Sequence, residues 1–220
     1  MNYKYIILDF GNVLFEPPTG NWNITEKFLE VFDISLIDKD SFEKARLKYS
    51  NILSRKVENL EQEYQMFFDF YDSILNEINY PGYDKNMAHV VAHDRTYNVH
   101  KYLMYDNVLD ELKKLSQKYT LIMLSDNWPC AIDILKTYKI YDYFDKIYIS
   151  SIYGVEKKDK VFFDLPIKDF HIQSGEALFI DDSEFNLDIA KEKNLDVLLM
   201  DRGKKVINSK YKIINNLFDL

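Results

Sequence analysis

The chain has 220 residues, of which 47% are hydrophobic and 29% charged, with a formal net charge of −8. This balance excludes a disordered chain. The acidic excess also argues against nucleic-acid and anionic-membrane partners, because both need a basic surface and the basic residues here are dispersed apart from short pairs and the run VEKKDK. Cys130 is the single cysteine, so an intramolecular disulfide and a Cys-based zinc site are excluded, and the chain suits a reducing, cytoplasmic setting. No apolar run is long enough to span a bilayer, and the N-terminal one is broken by Asp9.

Residues 3–9, YKYIILD, form the first predicted strand. The PPTG at 17–20 then breaks the chain, and the residues beyond it carry helical spacing. SFEKARLKYSNIL places Phe42, Ala45, Tyr49, Ile52 and Leu53 on one side, and Leu60, Tyr64, Phe67, Phe68, Tyr71, Ile74, Leu75 and Ile78 repeat the pattern until Pro81-Gly82. A third helix is predicted around 85–98. No strand pattern interrupts this region, so residues 16–100 read as a helical cap inserted after the first strand.

From there strands and helices alternate. DNVLDELKKLSQKY puts Val108, Leu109, Leu112 and Leu115 on one stripe, with Asp106 as N-cap. The short apolar runs at 119–125, 146–150, 177–181 and 196–200 suit strands buried on both faces. CAIDILKTYKI and SEFNLDIAKEKN supply helices between them. The prediction is an α/β protein: a Rossmann-like parallel sheet with helices on both faces, made of residues 1–15 and 101–220.

Ligands of an open parallel sheet bind beyond the carboxyl ends of its strands. Those ends carry Asp9, then Ser125 with Asp126 and Asn127, then Ser150 and Ser151, then Asp181 and Asp182. Acids gathered at three of four ends would repel one another unless a cation sat among them. Oxygen-only ligands suit a hard cation, most simply magnesium.

ILDFGNVLF, LIMLSDN, the lysine of YGVEKKDKVFF and LFIDDSEFN, in this order, resemble the four motifs of the haloacid dehalogenase superfamily. Within it, the chain resembles a helical-cap branch that includes glucose-1-phosphate phosphatase-like proteins. The resemblance implies a magnesium-dependent phosphatase of a small phosphorylated metabolite. Asp9 would be the nucleophile that forms an aspartyl-phosphate. Asp9, the Gly11 carbonyl and Asp182 would bind Mg2+, with Asn186 placed to hold metal-bound water and Asp181 either an outer ligand or a helix cap. Ser125, Asn127 and the Gly11 and Asn12 amides would hold phosphate oxygens, and Gly11 would let the loop turn tightly. Lys157 would neutralise charge, although Lys160 offers an alternative register, and Asp126 is expected to point away from a dianionic substrate.

Most phosphatases of this superfamily carry a second Asp two residues after the nucleophile, as general acid and base, where this chain has Gly11. Such help is typically worth about 10²–10⁴-fold in rate, or roughly 3–5 kcal/mol of barrier. Three explanations stand open: a substrate with a good leaving group, a proton from His89, His93 or His100, or weak turnover. Two other functions compete, a metal-independent 2-haloacid dehalogenase and a catalytically weak phosphate-binding protein.

Overall fold

The computed structural model describes residues 3–220, so the first two residues of the segment assigned to the core lie outside it. In chain order its elements are β1 (Tyr5–Leu8), β2 (Phe15–Glu16), α1 (Glu26–Val31), α2 (Lys39–Lys48), α3 (Ser50–Leu53), α4 (Leu60–Glu77), α5 (Lys85–Tyr97) and β3 (Leu103–Met104). Next come α6 (Val108–Leu115), β4 (Thr120–Ser125), α7 (Cys130–Thr137), β5 (Lys146–Ile149), α8 (Ser150–Tyr153), α9 (Val161–Asp169), β6 (Ala177–Asp181), α10 (Glu184–Glu192), β7 (Asp196–Met200) and β8 (Ile213–Ile214).

Six strands form one sheet in the order β5-β4-β1-β6-β7-β8, and every pairing in it is parallel. Alternation of side chains along each strand explains the two layers of core. Ile6, Leu8, Leu121 and Met123 pack with Val108, Leu112, Ala131 and Ile134 of α6 and α7 on one face. Ile7, Ile122, Leu124 and Phe179 pack with Phe162, Phe163, Leu187 and Ala190 of α9 and α10 on the other. Helices cover both faces, which is why the strands read as continuous apolar runs.

The sheet positions a site before any side chain is considered. β1 lies between β4 and β6, with Leu8 level with Met123 on one side and with Ile180 on the other. Asp9, Ser125 and Asp181 therefore reach the same rim. The chain runs outward from β1 through β4 to β5 and returns to β6 on the far side, which makes β1 the point where strand order reverses.

Between β2 and β3 the chain is helical and holds a hydrophobic cluster of its own, including Phe28, Phe32, Phe67, Phe70, Tyr71, Ile74, Val91 and Ala92. On α4 the buried stripe runs Glu63, Met66, Phe67, Phe70, Tyr71, Ile74 and Leu75. Glu63 heads this apolar stripe because its carboxylate accepts a hydrogen bond from the Cys130 amide, 2.8 Å away at the start of α7. Negative charge at a helix N-terminus is favourable.

Several local expectations are corrected. α6 begins after Asn107, and no side chain caps it, so Asp106 is not its N-cap. Leu109 is exposed, whereas Glu111 is fully buried on the same helix. The burial of Glu111 rests on the Arg202 guanidinium, which grips both carboxylate oxygens, and on the Leu217 amide at 3.0 Å. The antiparallel pair β2–β3 and the edge strand β8 escape the sequence reading because two residues carry no periodicity. The helices α1 and α8, of six and four residues, are too short to show two turns of helical spacing, and Pro166 conceals α9.

Removing one partner of a buried ion pair leaves the other uncompensated, at a cost of about 3–5 kcal/mol. Glu111→Ala is expected to lower stability by that amount, read as a lower urea midpoint, because it orphans Arg202 and the Leu217 amide together.

Candidate active site

Asp9 follows β1 directly and is buried, with its amide donating to the Ile180 carbonyl across the sheet at 3.1 Å. The turn after it is closed by the Leu14 and Phe15 amides, both donating to the Phe10 carbonyl. Its left-handed residue is Asn12, at φ 53°. Asn tolerates that region better than most residues. Gly11 leaves room for a neighbour instead: a Cβ there would lie 3.2 Å from Cζ2 of Trp22, so the indole would have to shift by a few tenths of an ångström to admit one.

Around Asp9 the chain assembles one cation and two further acids. Lys157 is almost fully buried, and its Nζ lies 2.8 Å from Asp9 Oδ1 and donates to Asp181 Oδ2 at 2.6 Å. Burial favours the neutral amine, but Asp181 and Asp9 outweigh it and raise the Lys157 pKa, so the side chain stays charged. Lys160 instead pairs with Glu192 at the surface, which places Lys157 at the site. Asp126 accepts from the Lys157 amide at 2.8 Å and borders both the cavity at Asp9 and a neighbouring one with Ser150, Ser151 and Glu156.

Asp181 is saturated. One oxygen accepts from the Ser183 amide at 2.8 Å and from Asn186 Nδ2 at 3.0 Å, and the other takes Lys157. It is not the cap of α10, because Ser183 holds that position. Asp182 projects to the cavity and accepts from Asn12 Nδ2 at 2.7 Å. The Asn12 amide is spent on the Phe15 carbonyl at 2.7 Å, which removes it from the set of phosphate-binding amides. The Gly11 amide and carbonyl have no partner among the described residues. Ser125 Oγ is likewise free among them, and Asn127 uses its Oδ1 on the Trp128 amide at 2.9 Å.

Carboxylate oxygens of Asp9, Asp181 and Asp182 lie within 4.8 Å of one another. Three acids face a single ammonium, and the imbalance falls on Asp9. Burial, and then the charges of Asp181 and Asp182, push its pKa up to about 7 against the opposing pull of Lys157. Partial desolvation and the Asp181 charge raise Asp182 as well. Asp9 Oδ1 is buried and, although in ion-pair range of Lys157, receives no hydrogen bond. An all-oxygen donor set, an under-satisfied buried carboxylate and surplus negative charge fit a hard divalent cation.

Every residue that the sequence assigned to the site, except the fully buried Asp181, lines one cavity of 330 Å³. Trp22, Asn23, Arg95, Tyr102 and Trp128 line it too and were not anticipated. A signal existed for Arg95: Ala88, Val91, Ala92 and Arg95 recur at helical spacing, which puts an arginine on a buried stripe. Nothing distinguished the aromatics in a chain that is 15% aromatic. Among the described residues no histidine lines the cavity. His89 and His93 border a separate groove with Tyr64, and His100 packs on Tyr138.

Comparison with known proteins identifies the family and the fold. The family model described as haloacid dehalogenase-like hydrolase matches residues 6–200. A D-ribitol-5-phosphate phosphatase of Bacteroides thetaiotaomicron is 32% identical over 102 residues, 43% of this chain and 50% of the relative, so the chain aligns with about half of that protein's length. Among solved structures, the HAD hydrolase YfnB of Bacillus subtilis, bound to magnesium, superposes with a TM-score of 0.67 at 16% identity, over 100% of this chain and 97% of that one. The L-2-haloacid dehalogenase of Xanthobacter autotrophicus reaches 0.67 at 14% identity, over 99% and 96%. At such identities these two report the fold alone.

Because the folded state holds the Asp9 proton to about pH 7, whereas a free carboxyl releases it near pH 4, the folded chain binds the extra proton between those values. Stability therefore falls as pH rises through that window. In chelator-treated protein the melting temperature is expected to drop from pH 5 to pH 7.5. Asp9→Asn should flatten that slope and raise the melting temperature at pH 7.5, by the equivalent of a few kcal/mol at most.

Proposed function

Since the chain belongs to the haloacid dehalogenase-like hydrolases, we propose that it is a magnesium-dependent phosphatase of a small phosphorylated metabolite, working through an aspartyl-phosphate on Asp9. The observation that carries this reading is the convergence of Asp9, Asp181 and Asp182 at the rim of the sheet, with a buried lysine paired to the first two. The partial similarity to a phosphatase of a phosphorylated polyol supports it. In this reading residues 1–15 and 101–220 are the hydrolase core, and residues 16–100 are a cap that excludes water and selects the substrate.

Asp9, the Gly11 carbonyl and Asp182 would hold the magnesium, with Asn186 beside them. The ion supplies Lewis-acid charge for phosphoryl oxygens. Ser125 Oγ, the Gly11 amide and the Asn127 side chain orient the phosphoryl group for in-line attack by the Asp9 carboxylate, which displaces the alcohol and becomes phosphorylated. Lys157, fixed by Asp181, neutralises charge on the Asp9 side of the reaction. Water then cleaves the acyl phosphate and restores Asp9. Asp181 acts through Lys157 and Asn186 rather than on the substrate.

Proton donation to the leaving oxygen is the missing element. Position 11 offers no side chain, Trp22 covers the space where one would project, and no histidine among the described residues reaches the cavity. That absence of a histidine from the cavity lining counts against one of the three explanations for Gly11, and of the remaining two our reading takes the good leaving group. A metal-free dehalogenase would leave Asp182 and the surplus charge without a purpose, so the acid cluster favours phosphate chemistry.

Aryl and anomeric phosphates are expected to be hydrolysed at least ~10²-fold faster than an alkyl phosphate, and only with magnesium, since the missing acid is worth about that much. Phosphate release from the three esters, with and without chelator, measures this. Chelator-insensitive halide release from a 2-haloacid would replace the reading with the dehalogenase. Asp9→Asn should reduce turnover to background. Lys157→Met should lower kcat by about 10²–10³-fold, the usual scale for removing one preorganised charge.

A further inference from the structure

The catalytic machinery leaves one charged group in the cavity without a role. Arg95, on α5, is 2% exposed and lines the same cavity as Asp9 and Lys157. Its guanidinium is held over three rings, with centroids 5.0 Å away for Phe67, 5.5 Å for Tyr102 and 5.7 Å for Trp128. Nη1 donates to Tyr102 Oη. Nε is buried without a partner, and Nη2 meets no acceptor among the described residues. No carboxylate lies in ion-pair range of Arg95 among those residues, although such pairing is the rule for a buried charge.

The surroundings deepen the deficit. Lys101 is also buried and spends its Nζ on Cys130 Sγ at 3.2 Å. Glu63 is the nearby acid, and one of its oxygens is committed to the Cys130 amide. Two buried cations thus stand near one carboxylate, and of the three groups Arg95 is the one that lines the cavity. The acids are gathered on the strand-end side, at Asp9, Asp126 and Asp182. Within a guanidinium, Nε and Nη2 form a parallel fork that matches two oxygens of one anion. Here that fork is buried and meets no acceptor among the described residues, and ring contacts fix its plane.

We propose that Arg95 is a specificity-determining residue that receives a second anionic group, a carboxylate or a phosphate, at the end of the substrate remote from the phosphoryl group under attack. The preferred substrates are then short phosphorylated acids or bisphosphates, of a size a 330 Å³ cavity admits, rather than neutral polyol phosphates. This assignment rests on the phosphatase reading and deepens it: Asp9 and Lys157 recognise what all phosphate esters share, and Arg95 recognises what distinguishes one from another.

The test compares esters on one three-carbon skeleton, with magnesium present: glycerol phosphate, phosphoglycerate and propanediol bisphosphate. Wild-type kcat/KM is expected to favour at least one of the two anionic substrates by about 10–100-fold, the scale of a charge-assisted bidentate contact. The better of the two identifies the anion. Arg95→Met should bring the ratio of anionic to neutral substrate close to one, and Arg95→Lys should leave an intermediate ratio, because it keeps charge but loses the fork. Equal rates in the wild type, or a preference for glycerol phosphate, would overturn the assignment even if Arg95→Met did not fold. Because alkyl esters are the slow class for this site, an aryl phosphate is run alongside them, and the phosphatase reading fails only if that ester too is left intact. Titration calorimetry of the same three compounds then decides the role of Arg95, and equal affinities would overturn it.

Discussion

The arrangement depends on a single buried ammonium. Lys157 Nζ bridges Asp9 and Asp181, which arrive from adjacent strands, and without it two desolvated carboxylates would face each other at the centre of the sheet. Coulomb repulsion at that range in a poorly polarisable interior would force one of them to keep a proton. Lys157 offsets this only in part, and a third acid, Asp182, adds to the charge. The site is therefore held together by one cation and left short of another. That shortage is the physical basis for the proposed divalent ion and for the expected dependence of stability on pH.

Rigid elements set this geometry. Asp181 is pinned by four hydrogen bonds, from the Ser183 amide, from Asn186 of α10 to both oxygens, and from Lys157. Asp9 is pinned through its amide to β6. The loop carrying Lys157 is fastened by Asp126, which follows β4 directly. Each constraint comes from a different strand, so the alignment of β4, β1 and β6 determines whether the charges meet. Preorganised groups of this kind need little rearrangement when charge develops on a substrate.

The helices of α1–α5 meet the sheet at few but specific points. Trp128 packs against both hydrophobic clusters, sets its ring edge-on to Phe67 at 5.0 Å and donates from its indole to the Leu53 carbonyl at 3.3 Å. Glu63 reaches the start of α7, and the Val57 amide donates to the Ser151 carbonyl. The cavity lies where these contacts converge. Its reactive side belongs to strand ends, and its aromatic and arginine wall includes residues of α5 and of the segments joining helices to sheet. This division suits a constant chemistry joined to a variable choice of partner molecule.

Much of this was legible in one dimension. Apolar runs ending in Asp9, Ser125 and Asp181, separated by amphipathic helices, dictate a parallel sheet and the rim where its chemistry lies, because strand burial and crossover handedness follow from local pattern. The motifs pointed to Asp9, Lys157 and Asp182, and these three meet at one cavity. Other facts arose only in three dimensions. The space beside Gly11 is taken by Trp22, the Asn12 amide is turned to Phe15, Asp126 fastens the Lys157 amide, and Arg95 is left with an unpaired fork. None of these is a property of a residue or its spacing. Each depends on which atoms from distant segments reach the same few ångströms, and packing alone decides that.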